Sequence, residues 1–338
     1  MSASNNQNAI IDQTSEGAPP RPRIVVISGP TAVGKTALGI ALGLAFNGDV
    51  INADSRYLYR GFDIGVAKPG HVERRGVPHH LIDILPPTGE MSLARYQDLA
   101  MAAIRQVLAR RKMPLLVGGT PLYINAVVEG WRIPRVPPDP EKRAALEAEA
   151  ARDGVDALAR RLQQVDPVAA ARSGSNLRRI IRALEIYDAT GIPMTAQEGK
   201  GPPPVEALEI GLTLPRDQLY RVIDQRVTDQ IERGLVDEVR LLLEGGVSEN
   251  VPAMSSLGYR QLLPYLHGES TLEEAIARIR HDTHRYVRHQ ETWLRRNPRL
   301  VWFDASNPSW QEAVVERVRA FVEAPRGTGQ TGDREAGR

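Results

Sequence analysis

The amino-acid sequence predicts an α/β protein: a three-layer core with a mainly parallel sheet, plus a helical insertion domain. Three observations lead there. Short β-branched or aliphatic runs alternate with helical patterns between Ile24 and Val117, the pattern of strand–helix–strand units that wind a parallel sheet. Prolines then punctuate Arg132 to Pro140, and Glu141 to about Ala189 is Ala- and Arg-rich, helical in periodicity and without a strand signal. A break from Gly199 to Pro204 is followed by the aliphatic run Leu208 to Leu214, which can rejoin the sheet.

In chain order, residues 1–22 are rich in Ser, Asn, Gln and Pro and are expected to form a disordered tail. The first strand is Ile24 to Ile27, followed by a helix from Lys35 to Phe46 and a second strand from Val50 to Ala53. Leu81 to Ile84 reads as a third strand, Leu93 to Arg111 as a helix and Leu115 to Val117 as a strand. These elements place 23–130 in the core and 131–205 in the insertion. The core resumes over 206–324: a strand from Leu208 to Leu214, a long helix capped by Asp217 and ended by Gly245 and Gly246, and further helices. Leu300 to Phe303 is a last strand and Ser309 to Val322 an amphipathic helix. Residues 325–338 are Gly-rich and polar, a second expected disordered tail.

Composition narrows the function classes. With 338 residues, 42% hydrophobic and 25% charged, the chain has the balance of a folded globular protein. A net charge of +2 excludes a polycation drawn indiscriminately to nucleic acid. The absence of cysteine excludes disulfides, cysteine-ligated zinc, iron–sulfur clusters and a cysteine nucleophile. No apolar run reaches the ~20 residues of a membrane span, and no secretory signal pattern opens the chain, so a cytoplasmic protein without a membrane partner is expected. A monomer is expected as well.

The strongest chemical signal lies between the first strand and the first helix. Gly29, Pro30, Thr31, Ala32, Val33, Gly34, Lys35 and Thr36 fit G-x-x-x-x-G-K-[ST], in the strand-to-helix context that a phosphate-binding loop, or P-loop, requires. The glycines let backbone N–H groups converge on phosphate oxygens, the helix N-terminus adds partial positive charge, Lys35 supplies a cation, and Thr36 can hold Mg²⁺. The core is thus a P-loop core, with a nucleotide such as ATP and another diphosphate both open as ligands. Asp54 follows the second strand, at the edge of a parallel sheet where ligands bind; a turn or helix-capping role is equally open to it. Asp83 could mimic the acidic strand of a nucleotide hydrolase, although Leu85, Pro86 and Pro87 mark it as a strand exit. His79 and His80 are adjacent and would point to opposite faces of a strand, so no zinc is assigned. Gly118, Gly119 and Thr120 follow another strand, as a glycine turn or a substrate contact.

Two basic clusters stand out. Arg278, His281, Arg285, Arg288 and Arg295 recur at helical spacing with only Asp282 and Glu291 as acidic neighbours, while Ile279, Thr283, Tyr286 and Trp293 form another stripe expected to pack. Arg178, Arg179 and Arg182 cluster in the insertion. A solvated face explains either cluster alone; together they suit a large folded RNA. On the residues alone, a small-molecule kinase using ATP and Mg²⁺ and a non-catalytic RNA-binding module both remain available.

The assembled motifs resemble the tRNA dimethylallyltransferase, or tRNA isopentenyltransferase, family across about Ile24 to Phe303. They run in order: Gly29 to Thr36; Asn52 to Ser55 through Tyr59, Arg60 and Gly61; Asp63, Ile64, Gly65, Lys68 and Pro69; Pro78 to Ile84; Gly118 to Thr120 with Leu122 and Tyr123; Arg182 to Glu185; Gly258 to Gln261; and Gln290 with Thr292 to Arg295. The resemblance implies a prenyltransferase. It would move a dimethylallyl group from dimethylallyl diphosphate to N6 of the adenosine 3′-adjacent to the anticodon in the anticodon stem-loop of tRNA, releasing diphosphate, with Mg²⁺ as cofactor. In that reading the P-loop residues Gly29 to Thr36 stabilise a leaving diphosphate, and a base must assist an exocyclic amine that is a poor nucleophile. The resemblance assigns Asp54 as that base, Arg226 to the diphosphate and Thr120 to the reacting centre. To the tRNA it assigns Asp54, Ser55, Arg56, Tyr57 and Thr120, then Arg143, then Arg178, Arg179, Ile180, Ile181 and Arg182, then Ser255, Ser256, Leu257, Gly258, Tyr259 and Arg260. It also implies a channel entered by the diphosphate substrate at one end and adenine at the other. Three positions depart from the family pattern: Val66 stands where threonine is usual, Tyr57 where glutamine is common and His289 where arginine is frequent. Val66 lacks a hydroxyl donor, and Tyr57 has a ring that can stack on a base.

Overall fold

The computed structural model describes residues 20–325; the two expected tails, 1–22 and 325–338, lie outside the described residues except for 20–22 and 325. The elements, in order, are β1 (Arg23–Ser28), α1 (Lys35–Ala45), β2 (Gly48–Asn52), β3 (His79–His80), α2 (Leu93–Ala109), β4 (Met113–Val117) and α3 (Pro121–Val128). Then come β5 (Trp131–Arg132), α4 (Pro140–Asp153), α5 (Val155–Val165), α6 (Pro167–Ser173), α7 (Leu177–Thr190), α8 (Met194–Gln197) and β6 (Gly199–Lys200). The chain returns through β7 (Glu206–Thr213), α9 (Arg216–Glu232), α10 (Leu235–Glu244), a 3₁₀ turn (Pro252–Ser255), α11 (Tyr259–Leu266), α12 (Leu272–Leu294), β8 (Val301–Asp304) and α13 (Trp310–Glu323).

The sheet has six strands in the order β3-β2-β4-β1-β7-β8, and every pairing in it is parallel. Helices cover both faces, as a parallel sheet requires. The period-2 alternation of β1 explains how: Ile24 and Val26 enter one core with Ile51, Leu116 and the inner faces of α2 and α3, while Val25 and Ile27 enter the other with Leu38 and Leu42 of α1 and Val314 and Val318 of α13. All four β1 aliphatics are fully buried, each worth about 1.5–3 kcal/mol of apolar burial. The loops that leave the C-terminal ends of β1, β2 and β4 therefore gather at one sheet edge.

The helical unit α4–α8 leaves and re-enters through a two-stranded antiparallel ribbon in which Trp131 pairs with Lys200. It has its own core of Leu146, Leu158, Leu162, Ala169, Ile180, Ile181 and Leu184. Asp139, Asp166 and Asn176 cap three of its helices through their side chains.

The structure departs from the sequence expectation at four points. The third strand is only His79–His80, because Leu81 and Asp83 take φ values of 61° and 58°, left-handed conformations that end a strand. The long helix after β7 is two helices, broken at Gly234 with φ of 93°. Its cap is Pro215, not Asp217, whose carboxylate instead pairs with Arg221 at 2.9 Å. On α12 the buried stripe is Ile279, Thr283, Val287, Gln290 and Leu294, so Tyr286 is left 44% exposed and free to face a cavity.

Candidate active site

The P-loop sits between β1 and α1. Gly29 is forced by space, since a Cβ there would stand 2.8 Å from Leu212 O and 2.9 Å from Val33 Cγ1. Gly34, at φ 98°, precedes α1 without a side-chain cap, so the first-turn N–H groups stay available to a ligand. Lys35 is half-buried and its Nζ donates to Pro30 O at 2.7 Å. Burial pulls its pKa down to about 8, with Asp54 opposing the shift and Arg226 adding to it. Lys35 and Arg226 thus bring two cations to one cavity, a setting that suits an anion. The loop is tethered from α12: Gln290 Oε1 accepts the Thr31 N–H at 2.9 Å while Gln290 Nε2 donates to Gly119 O at 3.2 Å.

Asp54 lies just beyond β2, and the buried Asn52 fixes its backbone by accepting the Asp54 N–H at 2.8 Å and donating to Asp54 O at 2.9 Å. Asp54 Oδ1 accepts the Arg56 N–H at 2.9 Å, an Asx-type turn. Oδ2 has no protein donor among the described residues. The two glycines after β4 explain how it is approached. A Cβ on Gly118 would fall 2.1 Å from Ala53 C, so the backbones of the two strand ends touch. One on Gly119 would stand 3.1 Å from Gln290 Nε2, 3.6 Å from Asp54 Oδ2 and 3.7 Å from Lys35 Nζ. Gly119 therefore leaves open the spot around which these three groups converge.

Two cavities meet here. One, of about 550 Å³, contains Lys35, Thr36 and Tyr57, with an apolar side formed by Ile40, Val50, Ile82 and Val117. The other, of about 420 Å³, is lined by Arg56, Ser255, Ser256, Leu257, Arg260, Arg285, Tyr286 and His289. Thr31, Asp54, Val66 and Arg226 line both and so form a neck between them. Asp282, beside Arg260 at 3.5 Å, is the acid at the arginine-rich mouth.

The other singled-out residues distribute unevenly. Thr120 lines neither cavity; its Oγ1 accepts the Ser55 N–H at 3.0 Å and so holds the Asp54 loop. Tyr57 faces the P-loop cavity and its hydroxyl donates to Ala67 O at 2.8 Å, which separates its ring from the arginine-lined side. Gly258 and Tyr259 are buried behind Ser255–Leu257, with the Tyr259 hydroxyl donating to Glu238. Gln261 accepts the Gly258 N–H at 3.0 Å and donates to Asp282 at 2.7 Å, so that motif builds a helix start. In the insertion, Arg178 and Arg179 are exposed. The side chains of Ile180 and Ile181 are 0% and 4% exposed in the insertion's core, which corrects the expectation that they face RNA. Arg143 and Arg182 converge on the buried Glu185, Arg143 Nε at 2.9 Å; burial raises the Glu185 carboxyl, but the Asp139 N–H at 2.7 Å and the two arginines outweigh it and hold it below its usual range. Asp83 and Asp63 flank the buried Lys68 Nζ at 2.5 and 2.6 Å, so Asp83 is neutralised away from both cavities. His80 pairs with the buried Asp49 at 2.9 Å, and His79 lines the P-loop cavity with Nδ1 against Val77 O. Among the described residues no group of three His, Cys, Asp or Glu could hold a metal ion. Sequence reasoning gave no role to Gln290, Asn52 or Tyr286; the first two sat inside quoted motifs, and Tyr286 was placed on the wrong stripe.

The family model described as IPP transferase matches residues 57–297. This chain belongs to the IPP transferase family. It is similar to a tRNA dimethylallyltransferase of Thermomicrobium roseum, 58% identical over 299 residues and covering 88% of this chain and 91% of that one. A second, of Roseiflexus castenholzii, is 52% identical over 300 residues, covering 88% and 97%. Among solved structures, the full-length tRNA isopentenylpyrophosphate transferase of Bacillus halodurans matches with a TM-score of 0.66 at 40% identity, over 89% of this chain and 96% of that one. A eukaryotic dimethylallyltransferase, solved acting on tRNA, matches with a TM-score of 0.77 at 27% identity, over 90% and 82%. The P-loop-type α/β fold of this IPP transferase is thus shared with proteins that modify tRNA. No described helix is long and apolar enough to cross a membrane.

Proposed function

We propose that this IPP transferase is a tRNA dimethylallyltransferase: it moves a dimethylallyl group from dimethylallyl diphosphate to N6 of the adenosine 3′ of the anticodon and releases diphosphate. One observation carries the reading: a P-loop cavity and an arginine-lined cavity meet at a neck made by Asp54, Arg226, Thr31 and Val66. In this assignment the diphosphate lies on the P-loop N–H groups between Lys35 and Arg226, and the allylic carbon points to the neck. The adenine, lifted from its stack, enters from the side of Arg56, Arg260 and Tyr286. The N6–C1 bond forms as the C1–O bond breaks; the N6 proton passes to Asp54 Oδ2 and the electron pair leaves on the diphosphate, where the two cations and the loop N–H groups stabilise it.

The donor set fits Mg²⁺ in one way. Thr36 at the start of α1 offers a single hydroxyl in the P-loop cavity, and Mg²⁺ is commonly held by one or two protein oxygens plus substrate phosphate and water. Bound there, it would offset charge on the diphosphate. Arg178 and Arg179 on the exposed start of α7 and Arg285 beside the second cavity are the cations assigned to the RNA backbone.

The test is incubation with unmodified tRNA, dimethylallyl diphosphate and Mg²⁺, read by nucleoside mass analysis; N6-prenylated adenosine is expected. Asp54→Ala should lower turnover by about 10²–10⁴-fold, the usual contribution of a positioned base, with tRNA affinity retained. Near-normal turnover would remove Asp54 from the proton transfer.

A further inference from the structure

We infer that the turn 63–67 is a water seal between the two cavities, and that Tyr57 and Glu238 are the positioning residues that hold it; the inference deepens the proposed prenyl transfer and rests on it. The turn carries Val66, the one wholly apolar side chain of the four at the neck. Its backbone is clamped from outside to an unusual degree. Glu238 Oε2 accepts the N–H groups of Asp63 and Ile64 at 3.2 and 2.8 Å, and Oε1 accepts that of Gly65 at 3.3 Å and the Tyr259 hydroxyl at 2.5 Å. Four consecutive carbonyls are held as well: Gln230 Nε2 donates to Ile64 O at 2.8 Å and Gly65 O at 2.7 Å, Arg226 to Val66 O at 3.0 Å, and Tyr57 to Ala67 O at 2.8 Å.

An ordinary surface turn leaves such groups to water. Here they are satisfied by α9, α10 and the Asp54 loop, and there is no slack: a Cβ on Gly65 would lie 2.4 Å from the Tyr259 ring. Ala67 is held at φ 52°, a left-handed conformation that a non-glycine residue keeps only where its surroundings enforce it. The chemistry gives this rigidity a purpose. When the allylic C1–O bond breaks, water that reaches C1 forms a C–O bond instead, loses a proton to solvent, and leaves prenyl alcohol and diphosphate. A transferase must keep that water out until the adenine fills the neck. Glu238 lines neither cavity and reaches the reacting atoms only through the turn, and the Tyr57 hydroxyl, although its ring lines the P-loop cavity, is bonded to Ala67 O of that turn.

The test uses the full-length protein with Tyr57→Phe, which removes a single hydroxyl, and Glu238→Gln, which removes the charge of the cradle. Diphosphate released and prenyl groups transferred to tRNA are counted in the same reaction. The wild type should release one diphosphate per prenyl group; each variant should release several-fold more, with turnover to tRNA reduced by about tenfold, short of the ~10²-fold that a full 1 Å misplacement brings, and KM for tRNA unchanged. A ratio of one in folded Tyr57→Phe overturns the inference, and if Glu238→Gln does not fold, Tyr57→Phe alone decides. Failure of the wild type to prenylate tRNA would instead sink the proposed function.

Discussion

Lys35 offers a test in which stability and activity move in opposite directions. Burial lowers its pKa from 10.5 to about 8, and the Arg226 guanidinium adds to the effect. At about 1.36 kcal/mol per pKa unit, a charged Lys35 in the empty site destabilises the folded protein by about 3 kcal/mol. Lys35→Met keeps the stem and removes the charge; the lost bond to Pro30 O takes back about 1 kcal/mol. The empty variant should therefore be about 2 kcal/mol more stable than the wild type at pH 7, raising Tm by about 4 °C, while prenyl transfer collapses. The sign with pH follows from proton binding. Between pH 8 and 10.5 the unfolded chain still holds the Lys35 proton and the folded protein does not. Wild-type stability at this site should thus rise across that window, so the variant's advantage should vanish near the upper end of it and reverse above it, where only the lost bond to Pro30 O, about 1 kcal/mol, still separates the two proteins. Calorimetry at pH 7, 8.5 and 10, with and without pyrophosphate, reads both effects, and pyrophosphate should stabilise the wild type far more. A Lys35→Met protein less stable than wild type at pH 7, with a parallel pH profile, would refute the reasoning.

The two neighbouring glycines should behave differently. Gly118→Ala drives a Cβ into the Ala53 backbone and should lower stability by several kcal/mol in thermal unfolding, whereas Gly119→Ala crowds only the Gln290 amide and should fold while losing turnover. The insertion arginines should also separate. Arg178→Ala with Arg179→Ala should weaken tRNA binding and reduce its log–log salt slope by about 1–2, measured by titration at several salt concentrations. Arg182→Ala removes one of the partners of the buried Glu185, which keeps Arg143 and the Asp139 N–H, and should destabilise by about 1.5–3 kcal/mol.

Much of this was legible because it was local. The P-loop announces itself through eight contiguous residues, and the strands through aliphatic runs whose alternate positions face opposite cores. The Gly118-Gly119 pair was visible as a turn, but the reason for it was not: Ala53, Asp54, Lys35 and Gln290 meet there from four places in the sequence. Arg182 reads as one of a basic cluster with Arg178 and Arg179, because sequence shows charge without showing the buried Glu185 that it shares with Arg143. The failure at Leu81–Ile84 has a similar source, since left-handed Leu81 and Asp83 are imposed by tertiary partners, Lys68 for one and Asn52 through Leu81 O for the other.

Those two partners also decide which chemistry the P-loop can serve. A phosphoryl-transfer enzyme of this class uses a second acid, at the end of a strand, to help hold the metal on its nucleotide. The chain has an acid in about that place, Asp83, but Lys68 is bonded to it at 2.5 Å and to Asp63 at 2.6 Å, and neither cavity includes it. Of the two acids lining the P-loop cavity, Glu73 is exposed and accepts the Gly70 N–H at 2.6 Å, whereas Asp54 keeps its Oδ2 without a protein donor at the neck, where it also lines the second cavity. An acid in that position is poorly sited to anchor a metal on a triphosphate and well sited to take a proton from whatever nucleophile arrives through the arginine-lined side. Exchanging the two environments makes the point experimentally. Lys68→Met should release Asp83 and loosen the 63–67 turn without creating ATP hydrolysis, because Asp83 would still lie outside the P-loop cavity, and appearance of phosphate from ATP in that variant would show that the division between the two acids has been misread.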